Sequence, residues 1–207
     1  YKNVILEHLL DLKKDGSFEM NLDYFNYCQG LTMTNHRFAK LFDGAARKAE
    51  DKITEREINL AASIQAVTEE IVIRMATFAR EETGKKNLCL SGGVALNCVA
   101  NGKLQAKKIF DNIWIQPASG DAGGALGAAL FTNYQLLNRE REVNPNDSMK
   151  GSYLGPRYEN DQISEFLKAV EGISHIYNNE DELLKEVCSA INNEKIIGWF
   201  NGRMELG

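Results

Sequence analysis

What the sequence has little of narrows it first. Histidine occurs three times (His8, His36, His175) and cysteine four times (Cys28, Cys89, Cys98, Cys188) in 207 residues. The cysteines stand alone, with no close pair at zinc-ligand or redox spacing. Reduced thiols in a cytoplasmic protein are the expectation, with Cys89 in the apolar run LCL and Cys188 in a helical pattern as small core residues. No apolar run approaches the roughly 20 residues needed to span a bilayer, so no membrane partner is expected. Positive charge is not in excess either. Lys and Arg number 24 against 29 Asp and Glu, a net charge of −5, which gives no electrostatic reason to bind nucleic acid. At 43% hydrophobic and 26% charged residues, the composition excludes intrinsic disorder, collagen-like repeats and coiled coil.

What is present is enough for one generous domain, or one domain and part of a second. The chain opens on Tyr1 and closes on NGRMELG, and we read it as a piece of a longer protein. Its first twenty residues open with a short helical pattern (Val4, Ile5, Leu9, Leu10, Leu12) that Gly16 breaks. LDYFNYCQGLTMTNHRFAKLF predicts ordered loops and short helices. From Thr54 a long helix is expected. Thr54 and Glu57 form a capping box, Leu60, Ile64, Val67, Ile71, Met75 and Phe78 form one apolar stripe, and Gly84 ends it.

Beyond Gly84 the pattern alternates. Asn87 to Ser91 reads as a strand, VALNCVANGKLQAKKIF as a helix, Asn112 to Pro117 as a strand, and GDAGGALGAALFTNYQLL as a glycine-opened helix. Strand, glycine turn and helix, twice over, indicate an α/β fold whose turns line a ligand crevice. Arg139 to Pro156 is polar and holds two of the three prolines, which marks a boundary. After it come helices in DQISEFLKAV and DELLKEVCSAI, a candidate strand in ISHIY, and a buried strand in KIIGWF. Those elements are too few for a stable domain alone and read as the start of a truncated one.

The chemistry concentrates at the two glycine turns. In SGGVALN, Ser91, Gly92 and Gly93 follow a strand, and Asn97 lies one turn into the next helix. Amides at a helix N-terminus carry partial positive charge, and glycine lets a phosphate approach them. A plain tight turn explains the same glycines through their dihedral freedom alone. In PASGDAGGALG, Gly120, Gly123, Gly124 and Gly127 keep the turn bare, and Asp121 is either a helix N-cap or an oxygen ligand for a cation bridging phosphates. Two such junctions on successive strands favour nucleotide or phosphate binding. Neither is a Walker loop or a GxGxxG fingerprint.

LCLSGGVALNCVANGKL followed by IWIQPASGDAGGALGAAL resembles the O-carbamoyltransferases of the nodulation-factor and antibiotic-tailoring type. LDYF, GLTMTNHRFAKLF, LAASIQAVTEE, SYLGP and GWFNGRMELG extend the likeness over most of the chain. The resemblance implies an α/β chain in two parts. Residues 1–140 would be the second half of an actin-like ATPase domain of the threonylcarbamoyl-transferase kind, 141–152 a linker, and 153–207 the start of a YrdC-like α/β domain. It also implies ATP, a divalent metal, carbamoyl phosphate and a small-molecule hydroxyl acceptor. The YrdC-like part would make carbamoyl-adenylate and pyrophosphate, and the actin-like part would transfer the carbamoyl group.

Position by position, Asp121 matches the family's metal ligand, and Ser91, Gly92, Gly93 and Asn97 match its nucleotide-contacting turn. Gly120, Gly123 and Gly124 match the phosphate side. Arg203 and Glu205 fall in a motif of the donor-activating domain. The family's metal site further needs a histidine pair and an aspartate that His8, His36 and His175 do not supply. The piece alone is therefore expected to be inactive. One aspartate does not separate iron from manganese, zinc or magnesium, and the oligomeric state stays open. A sugar kinase on the same fold and a non-catalytic nucleotide-binding module are the alternative readings.

Overall fold

The structure is a computed structural model and describes residues 1–206. It divides into two compact units, Tyr1–Gly120 and Asp121–Gly207.

The first unit is organised by one helix. A first turn, α1 (Lys2–Val4), widens into a π-turn over Ile5–Leu9. There the expected helix stops. Leu10–Leu12 is instead β1, paired antiparallel with β2 (Phe18–Met20). Gly16 turns the hairpin at φ +89°, and a Cβ on it would lie 2.5 Å from the backbone nitrogen of Met75. Two constraints, a positive φ and a close approach to the long helix, thus exclude any other residue there. A 3-10 turn at Leu22–Tyr24 and the short α2 (His36–Leu41) follow, as the aromatic stretch suggested.

Helix α3 (Glu55–Thr83) has the termini read from the sequence. Thr54 and Glu57 close a capping box, and Gly84 ends the helix in the left-handed conformation at φ 63°. Its apolar surface differs from the single expected stripe. One side buries Val67 with Ile5, Leu9 and Phe42, while Leu60 and Ile71 flank that cluster. The other side buries Ala76 with Leu104 and Phe110. Ile64, Met75 and Phe78, placed in the stripe by their spacing, stay half exposed. At 100° per residue, a helix with apolar side chains on two faces serves as a wall between two cores.

The second core covers one face of a parallel pair, β3 (Asn87–Leu90) and β4 (Asn112–Ile115), with Leu88 opposite Ile113 and Leu90 opposite Ile115. α4 (Cys98–Ala106) connects them, so β3–α4–β4 is a parallel crossover unit. Leu88, Leu90 and Ile113 pack inward. Cys89 and Trp114, one residue out of phase, point the other way and are exposed. The two-residue period of a strand therefore overrides the core assignment expected for Cys89. Cys188 is exposed as well.

In the second unit, α5 (Ala122–Phe131) runs into a π-turn at Thr132–Leu136. Residues 138–149 have no helix or strand, and α6 (Asn160–Ala169) and α7 (Glu180–Asn192) follow. The strands expected in ISHIY and KIIGWF do not form. Both runs are irregular, with Ile173 and Ile196 fully exposed. A strand needs a neighbour to accept its ladder of hydrogen bonds, and none is offered to either run among the described residues. The final residues instead run back along the SYLGP segment. Gly155 N–H donates to Met204 O (2.8 Å), Met204 N–H to Pro156 O (2.9 Å), and Leu206 N–H to Ser152 O (2.8 Å).

The two-sided role of α3 predicts an asymmetry that its sequence period hides. Val67→Ala, at a fully buried position of α3, should cost about 2–3 kcal/mol. Ile64→Ala, half exposed, should cost less than about 1 kcal/mol. Urea unfolding midpoints compare the two directly.

Candidate functional site

The first glycine junction begins where β3 ends. Gly92 adopts φ +99° and ψ 157°, a conformation reserved for glycine. A tight 3-10 turn over Gly93–Leu96 follows. A Cβ built on Gly93, Gly120 or Gly124 would meet nothing within 4 Å. Packing within the chain therefore does not demand glycine at these three positions, and bare backbone is left open to whatever approaches it.

Within the first unit, the start of the second junction bonds directly to the first. Gly92 N–H donates to the carbonyl of Ser119 at 3.1 Å, and Gln116 N–H to the carbonyl of Leu90 at 3.0 Å. The turns after β3 and β4 thus lie side by side at the C-terminal ends of two parallel strands, the place where open α/β sheets bind ligands. Ser119 is buried, and its hydroxyl donates to the carbonyl of Gln116. The Oε1 of Gln116 is a buried acceptor with no partner among the described residues. It leaves one hydrogen-bonding position at the strand end for a donor.

Asn97 differs from its expected position. It is not one turn into a helix but the N-cap of α4, because the intervening residues form the separate 3-10 turn. Its Oδ1 accepts from Ala100 N–H (3.0 Å) and from Gln65 Nε2 (3.1 Å), and its Nδ2 donates to Gln65 Oε1 (2.9 Å). Both acceptor sites of that oxygen are used, and a single amide hydrogen remains for a ligand. Gln65 Nε2 also donates to Glu69 at 3.0 Å, and Lys103 Nζ donates to the same carboxylate at 2.5 Å. Glu69 is only 7% exposed. Asn101 Nδ2 completes the set by donating to the carbonyl of Ala95 (2.7 Å). The sequence reading missed Gln65, Glu69 and Lys103. The signal was there in LAASIQAVTEE, where a glutamine and a glutamate four residues apart interrupt the face that later carries Val72 and Ala76.

In the second unit, Asp121 stands at the N-cap position of α5, yet its side chain makes no capping bond. The cap reading is excluded, because the residue has helical dihedrals and only its carbonyl is engaged, by Gly124 N–H at 3.0 Å. Its carboxylate is exposed and free among the described residues. Gly123 and Gly124 lie in the first turn of the same helix. Arg203 is anchored, donating from Nη1 to the carbonyl of Gly155 at 2.7 Å. Glu205 is exposed beside it in the strap that meets the SYLGP segment. His8, His36 and His175 join no metal-binding cluster. Among the described residues no three of His, Cys, Asp or Glu converge on one point.

A family model described as the carbamoyltransferase N-terminus matches residues 1–130. The chain belongs to the carbamoyltransferase family. An uncharacterised protein of Synechocystis is 53% identical over the whole chain, which covers 34% of that relative. The nodulation protein NolNO of Sinorhizobium fredii is 36% identical over 98% of the chain and 28% of its own length. Nodulation protein U of Rhizobium tropici is 35% identical over 98% of the chain and 32% of its own length. The chain thus spans about a third of the length of the curated relatives it matches. No helix is long and apolar enough to cross a membrane.

The Glu69 network has a pH consequence. The Lys103 ammonium, and then the Gln65 amide, hold the Glu69 carboxyl below the ordinary range. A carboxyl lowered on folding contributes stability at pH above its unfolded value, about 4.3, and loses it as the pH falls through the lower folded value. Between about pH 5 and pH 3 the wild-type chain should therefore lose more stability than Glu69→Gln, as read from urea midpoints at each pH. At neutral pH, Asn97→Ala should cost about 1–2 kcal/mol through the lost cap.

Proposed function

We propose that this chain is part of an ATP-dependent O-carbamoyltransferase and contributes its nucleotide-binding turns. The observation that best supports the reading is the hydrogen bond from Gly92 to Ser119, which sets the turn after β4 beside the glycine turn after β3 at the ends of parallel strands. Family membership supplies the carbamoyl group, and the open glycine backbone supplies a surface for phosphates.

In this reading, Ser91, Gly92, Gly93 and Asn97, with Gly120, Gly123 and Gly124, contact the nucleotide. Asp121 is the acidic ligand of a divalent cation. A single free carboxylate suits an ion held mostly by phosphate oxygens and water, as magnesium usually is. It does not by itself make a cage for a metal held only by protein. The cation would neutralise phosphate charge. Arg203 and Glu205 belong to the activating part, where a guanidinium suits a phosphate partner. The two parts are proposed as the second half of an actin-like ATPase domain and the start of a YrdC-like domain, working within a longer cytoplasmic polypeptide.

The proposed chemistry balances as follows. Carbamoyl phosphate, water and ATP give carbamoyl-adenylate, phosphate and pyrophosphate. The acceptor hydroxyl then attacks the carbamoyl carbon, its proton leaves and AMP departs. Both donors are mixed anhydrides; adenylation moves the carbamoyl group onto AMP, a leaving group that a nucleotide-binding turn can hold in place. The isolated 207-residue chain holds only part of such a site and is expected to be inactive.

The test is calorimetric titration with ATP and Mg²⁺, together with pyrophosphate release by the full-length protein given carbamoyl phosphate. Asp121→Ala and Gly93→Val should each weaken ATP binding by about tenfold or more, roughly 1.4 kcal/mol. Full-length protein that released no pyrophosphate from ATP and carbamoyl phosphate would sink the assignment.

A further inference from the structure

An amide side chain has a chemical direction, with oxygen on one side and nitrogen on the other, but almost no difference in shape between the two. Something with only one polarity must decide which way it faces. In the first unit the Glu69 carboxylate at one end of the pair and the Ala100 N–H at the other set the same direction. A carboxylate accepts hydrogen bonds and donates none, so it obliges Gln65 to present Nε2 toward it. The same nitrogen then faces Asn97 Oδ1, and Gln65 Oε1 is left to accept from Asn97 Nδ2. Asn97 is thereby turned with its oxygen onto Ala100 N–H, where it starts α4 immediately after the glycine turn. Lys103, reaching across from α4, keeps Glu69 charged. The chain of polarity runs from a buried carboxylate on α3, through two amides 32 residues apart, to the helix start that ends the Gly93–Leu96 turn.

We infer that Gln65 and Glu69 are positioning residues for the nucleotide-binding turn: without touching nucleotide, they fix the orientation of Asn97 and hence the placement of the turn backbone. The inference rests on the nucleotide reading proposed above. It assigns a role to a face of α3 that packing alone does not explain. An apolar pair at 65 and 69 would extend the core of Ala76, Leu104 and Phe110. A charged and an amide side chain there cost burial energy and return direction.

The test uses the full-length protein with Gln65→Met and Glu69→Gln, each made alone and in an Asn97→Ala background. Gln65→Met keeps the volume but forms no amide hydrogen bond. Glu69→Gln lets the amide at 65 face either way. Amide hydrogen exchange at Ala100 should accelerate in both single variants. The KM for ATP should rise about tenfold in the singles, as befits a lost interaction of roughly 1.4 kcal/mol. The KM for carbamoyl phosphate should not change. In the Asn97→Ala background neither change should raise the KM for ATP further, because the orientation they set is already gone.

Non-additivity with Asn97→Ala separates direction from mere packing, since a packing role would add its cost in either background. The inference is overturned if Ala100 exchange is unaltered in the singles, or if Gln65→Met and Glu69→Gln raise the KM for ATP as much in the Asn97→Ala background as in the wild-type protein. If Ala100 responds as expected while wild-type protein shows no affinity for ATP with Mg²⁺, the nucleotide reading has failed and takes the positioning role with it.

Discussion

The first unit depends on α3 having two working sides. Remove either side and a different half of the unit loses its wall. Val67 closes the cluster of Ile5, Leu9 and Phe42, and Ala76 closes that of Leu104 and Phe110. The capping box at Thr54 and the left-handed Gly84 fix where this 29-residue wall begins and ends. Ion pairs then set the N-terminal segment against it. Lys2 meets Glu70 at 2.7 Å, and Arg74 bonds both Glu70 and the carbonyl of Lys13. Exposed pairs of this kind contribute little each. Here their use is geometric, holding the β1–β2 hairpin where Gly16 can touch Met75.

The parts legible in the sequence were those governed by local rules. The helix ends of α3, the strands at Asn87 and Asn112, and the glycine junctions follow from caps, periods and residue types within a few positions of one another. What failed did so for lack of a partner that local rules do not name. Leu10 and Leu12 fit a helical period, but pairing with Phe18 and Met20 draws them into a hairpin. KIIGWF has the composition of a buried strand and remains irregular, because among the described residues no strand lies beside it. Cys89 sits in an apolar run, yet strand alternation turns it away from the leucines on either side.

The two glycine junctions were legible in the sequence, and the side chains that support them were not. Glycines after strands announce themselves by type. Gln65 and Glu69 are ordinary helix residues whose importance appears only when Asn97 and Lys103 arrive from 32 and 34 residues away. The bare faces have a related cause. Parallel strands are usually covered on both sides, yet Trp114 and Cys89 are open to solvent on β3–β4. In the second unit no hydrophobic side chain among the described residues is fully buried. A chain about a third the length of its relatives has few elements with which to cover such faces.

The position of Asn97 makes a distinction that a motif does not. A residue aligned with a nucleotide-contacting position can act through a ligand or through the protein, and hydrogen-bond bookkeeping tells these apart. Asn97 spends its oxygen on Ala100 and Gln65 and one amide hydrogen on Gln65. A nucleotide could claim only the remaining hydrogen, and a single neutral hydrogen bond contributes about 0.5–1.5 kcal/mol. The backbone it secures offers more. Gly92 and Gly93 present a surface without side chains, held at one end by Ser119 and at the other by the helix that Asn97 caps. Preorganised backbone of this kind binds phosphate without an ordering cost at the moment of contact. Under the proposed nucleotide reading, the principal contribution of Asn97 is therefore to the shape of the turn, and any direct contact is secondary.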